Sequence, residues 1–460
     1  MKSPPHRWRY VAGLAVLAAV VATLTVPSWA GVIEELTPPS GADRSDREKA
    51  NGEDLAPQLR KALNAQNFEN VVDTAPAQGA GPRRIHQTPN VDATVIKLSE
   101  AGRPTVAADV LLSPQYPDGK VVPLDEDLST DQVRWRRWND SQWDNNKGRG
   151  SADVTPGHKG APIDFMSPYP ASVLKLMVGY GVLRLADQGE ITLGEDYAYR
   201  PTGSNPLCGG DTTKPVRTLF DEMITVSRNQ STCALIKLLH DHGAIGDLNR
   251  HFTDLGLPML RLAGTDPGTG GNWAGVNMNA LDTAKLLLAV NGGAGVLWNA
   301  PDGDPVTNDV LSASSRKFYL NTLGEQGLNQ VLSTTNWCGR NYPAQGIPQR
   351  TDKRWIDRQD GTMTVDGRVY GRDVRPCQKA AEVTYAHKTG FVDTSGNDAG
   401  IVKSLPGKPK RNYIVAVHSN LGERYTDPRR PDDPAGVNPV TYTEKYGKLG
   451  HAIDKIVTRL

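Results

Sequence analysis

No charge of either sign dominates this chain. Its 52 Lys plus Arg stand against 51 Asp plus Glu, a net charge of +1 over 460 residues. That balance removes the electrostatic case for nucleic acid as the main partner. A single long apolar run excludes a polytopic membrane protein. Cysteine is scarce: Cys208, Cys233, Cys338 and Cys377 form no C-x-x-C pair and no zinc spacing. His240 and His242 are two residues apart and would not share a helix face, so no metal site is argued. There is no phosphate loop, no repeat of 20–50 residues and nothing that calls for a cofactor. What remains is 38% hydrophobic, enough for one large domain or two moderate ones, with 46 Gly and 33 Pro implying many turns.

The N-terminus reads as an export signal. Lys2, Arg7 and Arg9 precede an apolar run from Tyr10 to Val26, and Pro27-Ser28-Trp29-Ala30 offers a small-x-small site with cleavage after Ala30. Uncleaved, the run would be a short membrane anchor, the only membrane contact expected. Without the three leader cations, 49 basic residues face 51 acidic ones. Residues 31–54 are polar and read as a flexible tether. In an oxidising compartment four cysteines suggest two disulfides, with three possible connectivities, or else buried free thiols. The simplest pairing joins near neighbours, Cys208 with Cys233 and Cys338 with Cys377, the second closing a separate flap.

Leu55–Phe68 has helical spacing, and Thr94–Leu98 and Thr105–Leu112 read as strands around a turn at Gly102-Arg103-Pro104. Pro117–Gly160 reads as mostly loop. Within it, residues 133–143 interleave Trp with Arg: either a patch for polyanions or glycans, or a strand entering a loop with some Trp buried. Pro170 can open a helix over Ala171–Gln188 that is apolar almost all round, so it should lie buried between layers, with Gly189 as its stop. Further helices are expected at Leu219–Val226, Cys233–His242, Ile245–Leu255, Asn279–Val290, Ser312–Leu323 and Glu444–Leu460. Strands are expected at Glu382–Val392, Ala399–Lys403 and Tyr413–Ser419. Helices between two groups of strands predict an α+β fold: one sheet built from distant parts of the chain, flanked by helices, plus an all-helical lobe.

Three short motifs carry chemistry. Ser172-Val-Leu-Lys175 puts a hydroxyl and an amine one turn apart on one helix face. A buried Lys with lowered pKa can take the proton that makes Ser nucleophilic, and the helix start favours developing negative charge. Ser227-Arg228-Asn229 offers a second hydroxyl to relay a proton and an amide to anchor the Lys. Lys388-Thr389-Gly390 supplies a positive charge, a hydroxyl and a Gly where a ligand can approach a strand. Each has a bland reading, as cap residues, a solvated Lys or a bulge Gly. Two have decoys, Ser314-Ser-Arg-Lys317 and Ser395-Gly-Asn397, but only Ser172, Ser227 and Lys388 run in the order S-x-x-K, S-x-N, K-T-G.

That ordered set resembles the penicillin-recognising serine hydrolase superfamily, and class A β-lactamases most closely. PYPASVLKLMVGYGVLRLADQGEITL is similar to the family's nucleophile helix, and the resemblance covers about Phe165–Leu460, more weakly back to about Leu55. It implies a two-lobe serine hydrolase domain over 55–460, a monomer, with β-lactams or D-alanyl peptides as small-molecule substrates. Ser172 would be the acylated nucleophile and Lys175 its base; Ser227 would protonate the departing nitrogen. Asn229, Lys388, Thr389 and Gly390 would bind substrate, and the N–H groups of Ser172 and Phe391 would form the oxyanion hole. The chain departs from the family in three places: Arg228 replaces Asp, the spacing grows by an insertion near 338–380, and Arg261-Leu-Ala-Gly-Thr-Asp266-Pro replaces the Glu-bearing loop. Asp266 is then the expected deacylating base, its carboxylate one C–C bond short, or merely a turn residue. The expectation is a secreted β-lactamase that acylates fast and deacylates slowly. The alternatives are a D-alanyl-D-alanine carboxypeptidase or a non-hydrolysing lactam sensor.

Overall fold

Side chains that alternate between two faces build the central sheet. The computed structural model describes residues 55–76, 81–150, 152–328, 330–338, 344–369, 373–428 and 444–460. The expected leader and tether lie outside the described residues. Strands β1 (Val91–Leu98), β2 (Pro104–Ser113) and β3 (Tyr116–Val122) come first, followed by a small parallel pair, β4 (Val133–Arg137) and β5 (Ile163–Ser167). Strands β6 (Val383–Val392), β7 (Ser395–Ser404) and β8 (Asn412–Ser419) complete a six-stranded antiparallel sheet of order β6-β7-β8-β1-β2-β3. The first and last thirds of the chain therefore share one sheet, as expected.

Helices cover both faces. They are α1 (residues 55–64), α2 (Lys175–Asp187), α3 (Val216–Thr225), α4 (Asn229–Asp241), α5 (Ala244–Asp254), α6 (Ala280–Asn291), α7 (Ala313–Gly324) and α8 (Lys445–Arg459). On β8, Tyr413, Val415 and Val417 pack with Leu59 and Leu63 of α1 and Leu449 and Ile453 of α8. Ile414 and Ala416 face the other way, into a larger core with α2 and α6. Helix α2 buries ten of its residues because it crosses the middle of that core; Gly189 follows it at φ +78°.

One expectation is refined and one corrected. Residues 117–160 are largely loop and turn, as expected, but they also carry β3, which pairs with β2, and β4, which pairs with β5 beyond the segment. Strand β3 was illegible because it is a half-exposed edge carrying Pro117 and Gly119, with no apolar alternation. Both expected disulfides are present, Cys208–Cys233 and Cys338–Cys377, but the second closes no separate flap. Cys338, Ile347, Met363, Val365 and Val374 share one apolar core with Tyr385 of β6 and Leu449 of α8. The hairpin inside this segment does turn at Asp366-Gly367, both at positive φ, between Thr364–Val365 and Arg368–Val369.

Candidate active site

The helix that carries Ser172 and Lys175 opens tightly. Ala171–Leu174 is a 3-10 turn, and Lys175 is the first residue of α2. Ala171 sits at φ +45° and Ser227 at φ +56°, left-handed conformations costly for residues with a Cβ, so the surrounding fold holds both side chains in fixed directions. Strand β6 presses on this turn at Gly390. A Cβ there would lie 2.4 Å from the Pro170 carbonyl and 2.8 Å from the Ser172 nitrogen, which is why only Gly fits. The contact brings the backbone on either side of Phe391 to the start of the nucleophile turn.

Lys175 is fully buried. Its Nζ donates to the Ser227 carbonyl (2.7 Å), Ser227 Oγ (2.9 Å) and Asn229 Oδ1 (2.9 Å). Lys388, equally buried, donates to the same Ser227 Oγ (3.1 Å) and to the Thr389 carbonyl (2.8 Å). One hydroxyl thus bridges two ammonium-bearing side chains from different elements. Burial lowers the Lys175 pKa well below its ordinary value, and the nearby positive charge of Lys388 lowers it further. Burial also pushes Lys388 down to about 7, partly offset by Asp398. Two like charges around one oxygen in a dry site favour a single shared positive charge. Ser172 is half-buried, and no described residue hydrogen-bonds its hydroxyl.

The structure therefore brings Ser172, Lys175, Ser227, Asn229, Lys388, Thr389 and Gly390 to one place. The two decoys separate cleanly. Ser314 and Lys317 are exposed on α7, whereas Ser395 and Asn397 are buried in β7, bracing the Tyr169 carbonyl just before the nucleophile turn. Asp266 is elsewhere engaged. Its Oδ1 accepts from the Gly268 N–H (2.7 Å) and its Oδ2 from Thr269 Oγ1 (3.2 Å), so the carboxylate caps its own turn and makes no hydrogen bond to Lys175.

Several partners were not foreseen. The Trp273 ring lies over Lys175, 5.9 Å from Nζ to centroid, fixed by an indole N–H bond to the Gly270 carbonyl. Arg228, the departure inside S-x-N, reaches Asp366 at the tip of the hairpin (2.8 Å), so the 338–380 segment touches the Ser227 loop. On the far face of β6, His387 Nδ1 meets Asp398 Oδ1 at 2.7 Å and Nε2 meets Gln330 Oε1 at 3.1 Å, all fully buried. The Arg228–Asp366 pairing, 138 residues apart in sequence, leaves no local periodicity to read.

Residues 167–335 match the model of the "Beta-lactamase enzyme family". No curated protein matches the chain. Among solved structures it is similar to PBP-A at 15% identity, over 87% of this chain and 97% of that one, TM-score 0.45. A β-lactamase from Sphaerobacter thermophilus is 14% identical over 88% of this chain and 97% of its own, TM-score 0.42. One from Chitinophaga pinensis is 18% identical over 63% and 83%, TM-score 0.36. With its sheet built from both ends of the chain around a buried S-x-x-K helix, this protein has a mixed α+β architecture and is similar to the beta-lactamase enzyme family over residues 167–335.

Proposed function

We propose that the protein is an exported serine acyltransferase that opens β-lactam amides through a Ser172 acyl-enzyme and releases the acyl group slowly. The observation that carries this reading is Ser227 Oγ, held between Lys175 and Lys388 at 2.9 and 3.1 Å. Lys175, whose pKa burial lowers well below its ordinary value, takes the Ser172 proton as Oγ attacks the lactam carbonyl. The backbone N–H groups of Ser172 and Phe391 receive the developing oxyanion at the start of the helix. Ser227 passes a proton to the departing nitrogen and is resupplied by the lysine on either side. Lys388 and Thr389 hold the substrate carboxylate; Asn229 steadies Lys175 and the substrate amide. Export is supported by the N-terminal cationic-apolar pattern and by two disulfides.

Intact-mass measurement after brief exposure to penicillin should show one adduct, absent in Ser172→Ala. An adduct that persists in the Ala variant would sink the assignment. The engagement of Asp266 in its own turn favours slow deacylation, and with it the D-alanyl-peptidase reading over rapid lactam hydrolysis. Asn can cap the same turn, so Asp266→Asn should acylate and deacylate as the parent does. A loss of turnover in that variant would restore Asp266 as the base of a true lactamase.

A further inference from the structure

Beside the nucleophile turn lies a cavity of about 600 Å³, within the roughly 300–1,000 Å³ usual for ligand sites. Tyr169 and Pro170, immediately before Ser172, form its inner end. Trp273 lines it and also covers Lys175, so one indole is the wall shared with the proposed acylation centre. At the outer end stands Trp138, half-buried, its indole N–H held by Asp140 Oδ1 at 3.0 Å and its ring against Trp143 at 6.5 Å. That ring is a platform set before any ligand arrives.

The walls are built rather than accidental. Asn205 and Leu207 come from the loop ending at Cys208, which the disulfide ties to α4. The facing loop approaches so closely that a Cβ on Gly271 would lie 2.1 Å from Asn205 Nδ2 and 3.0 Å from Cys208 Sγ. The chemistry of the lining is specific in kind. Between the aromatic rings it presents amides and hydroxyls, including Asn205, Asn272 and Ser141, and its only charged side chains are Arg137 and Asp140, of opposite sign. A polyanion would find no cluster of cations here, and a wholly apolar group would strand the amides. Flat C–H faces against indole together with hydroxyls against amides describe a neutral sugar.

We propose that this cavity is a saccharide subsite, so that the natural substrate of the site is a glycan-bearing amide whose sugar rests on Trp138 while its scissile bond lies at Ser172. The proposal deepens the acylation reading and rests on it for the position of the scissile bond, but sugar binding can be measured separately. The full-length protein is titrated calorimetrically with tri-N-acetylchitotriose, maltotriose and a heparin oligosaccharide. At least one neutral oligosaccharide should bind, and Trp138→Ala should weaken it about tenfold or more, with Trp138→Phe recovering most of the affinity. Penicillin should acylate Trp138→Ala as it does the parent, which also shows that the variant is folded. No neutral-sugar binding up to about 10 mM, binding indifferent to Trp138→Ala, or binding of heparin alone overturns the subsite. Sugar binding in a protein that penicillin never acylates would instead leave the subsite standing and remove the acylation chemistry beside it.

Discussion

Two lysines facing one hydroxyl make the site's charge depend on pH from both sides. In the proposed mechanism Lys175 must be free of its proton to act as a base, whereas Lys388 must keep its proton to hold a carboxylate. Burial depresses both pKa values, Lys388 to about 7. The second-order acylation constant should therefore rise with pH as Lys175 deprotonates and fall again as Lys388 loses its charge. Lys388→Arg retains a charge through the alkaline range, so its profile should lose the descending limb even though the bulkier head slows acylation. A descending limb unchanged in that variant would take Lys388 out of the carboxylate site. The motif residues were legible because their chemistry is local and ordered along the chain. Trp273 was not, since nothing near it in sequence marks a ring that will cover a lysine 98 positions earlier.

Between elements, one close fit bears on the site: β6 meets the turn that carries Ser172. Gly390→Ala would drive a methyl into the Pro170 carbonyl and the Ser172 and Val173 nitrogens. Overpacking of this kind destabilises by about 1–3 kcal/mol, and the backbone must shift where the oxyanion would sit. An error of roughly 1 Å in a reacting group costs on the order of a hundredfold in rate. Gly390→Ala should thus remain folded by circular dichroism yet lose nearly all acylation; parental acylation rates would show that the strand is not positioned by this contact. Most helix and strand positions were readable from apolar spacing, within about four residues at each end. Strand β4 matches the strand reading of residues 133–143, with Trp135 and Trp143 buried, whereas β3 escaped because its edge is polar and carries Pro117 and Gly119, so hydropathy left no trace of it.

At the scale of the molecule, the Cys338–Cys377 loop and α8 belong to one core. A closed loop spanning 39 residues can contribute about 4 kcal/mol through the unfolded chain. The double Cys→Ser variant should lower the stability of the whole domain in one transition. A separate early transition for residues 338–377 would revive the independent flap. A second global dependence lies under α6, where Asp92, Asp109 and Asp282 are buried between sheet and helix, with Lys285 and His418 also facing in. Burial raises all three carboxyl pKa values, Asp109 to about 7 and Asp282 to about 6. The folded state then holds protons that the unfolded chain gives up near pH ~4, so stability is full in acid and declines as pH rises through about 6–7. Melting temperature should fall between about pH 5 and about pH 8, and Asp109→Asn should flatten that slope. A parent whose melting is flat across this range would mean that the carboxyls ionise in the fold at no penalty.

Strand β6 is the outermost strand of the sheet. The edge is covered along its length: Val383 pairs with the 348–350 segment, Thr389 Oγ1 is tied to the Leu328 carbonyl, and the Val392 carbonyl accepts from the Glu423 N–H. Proteins usually guard such rims against their own kind, because an open rim invites fibrils and swapped dimers. Here the guard combines covering loop segments with a buried ammonium at Lys388 and a tightly fitted turn at Gly390. An edge so covered is too short to template a second sheet, so colloidal stability and the placement of Gly390 against the turn of Ser172 are settled by the same handful of backbone atoms.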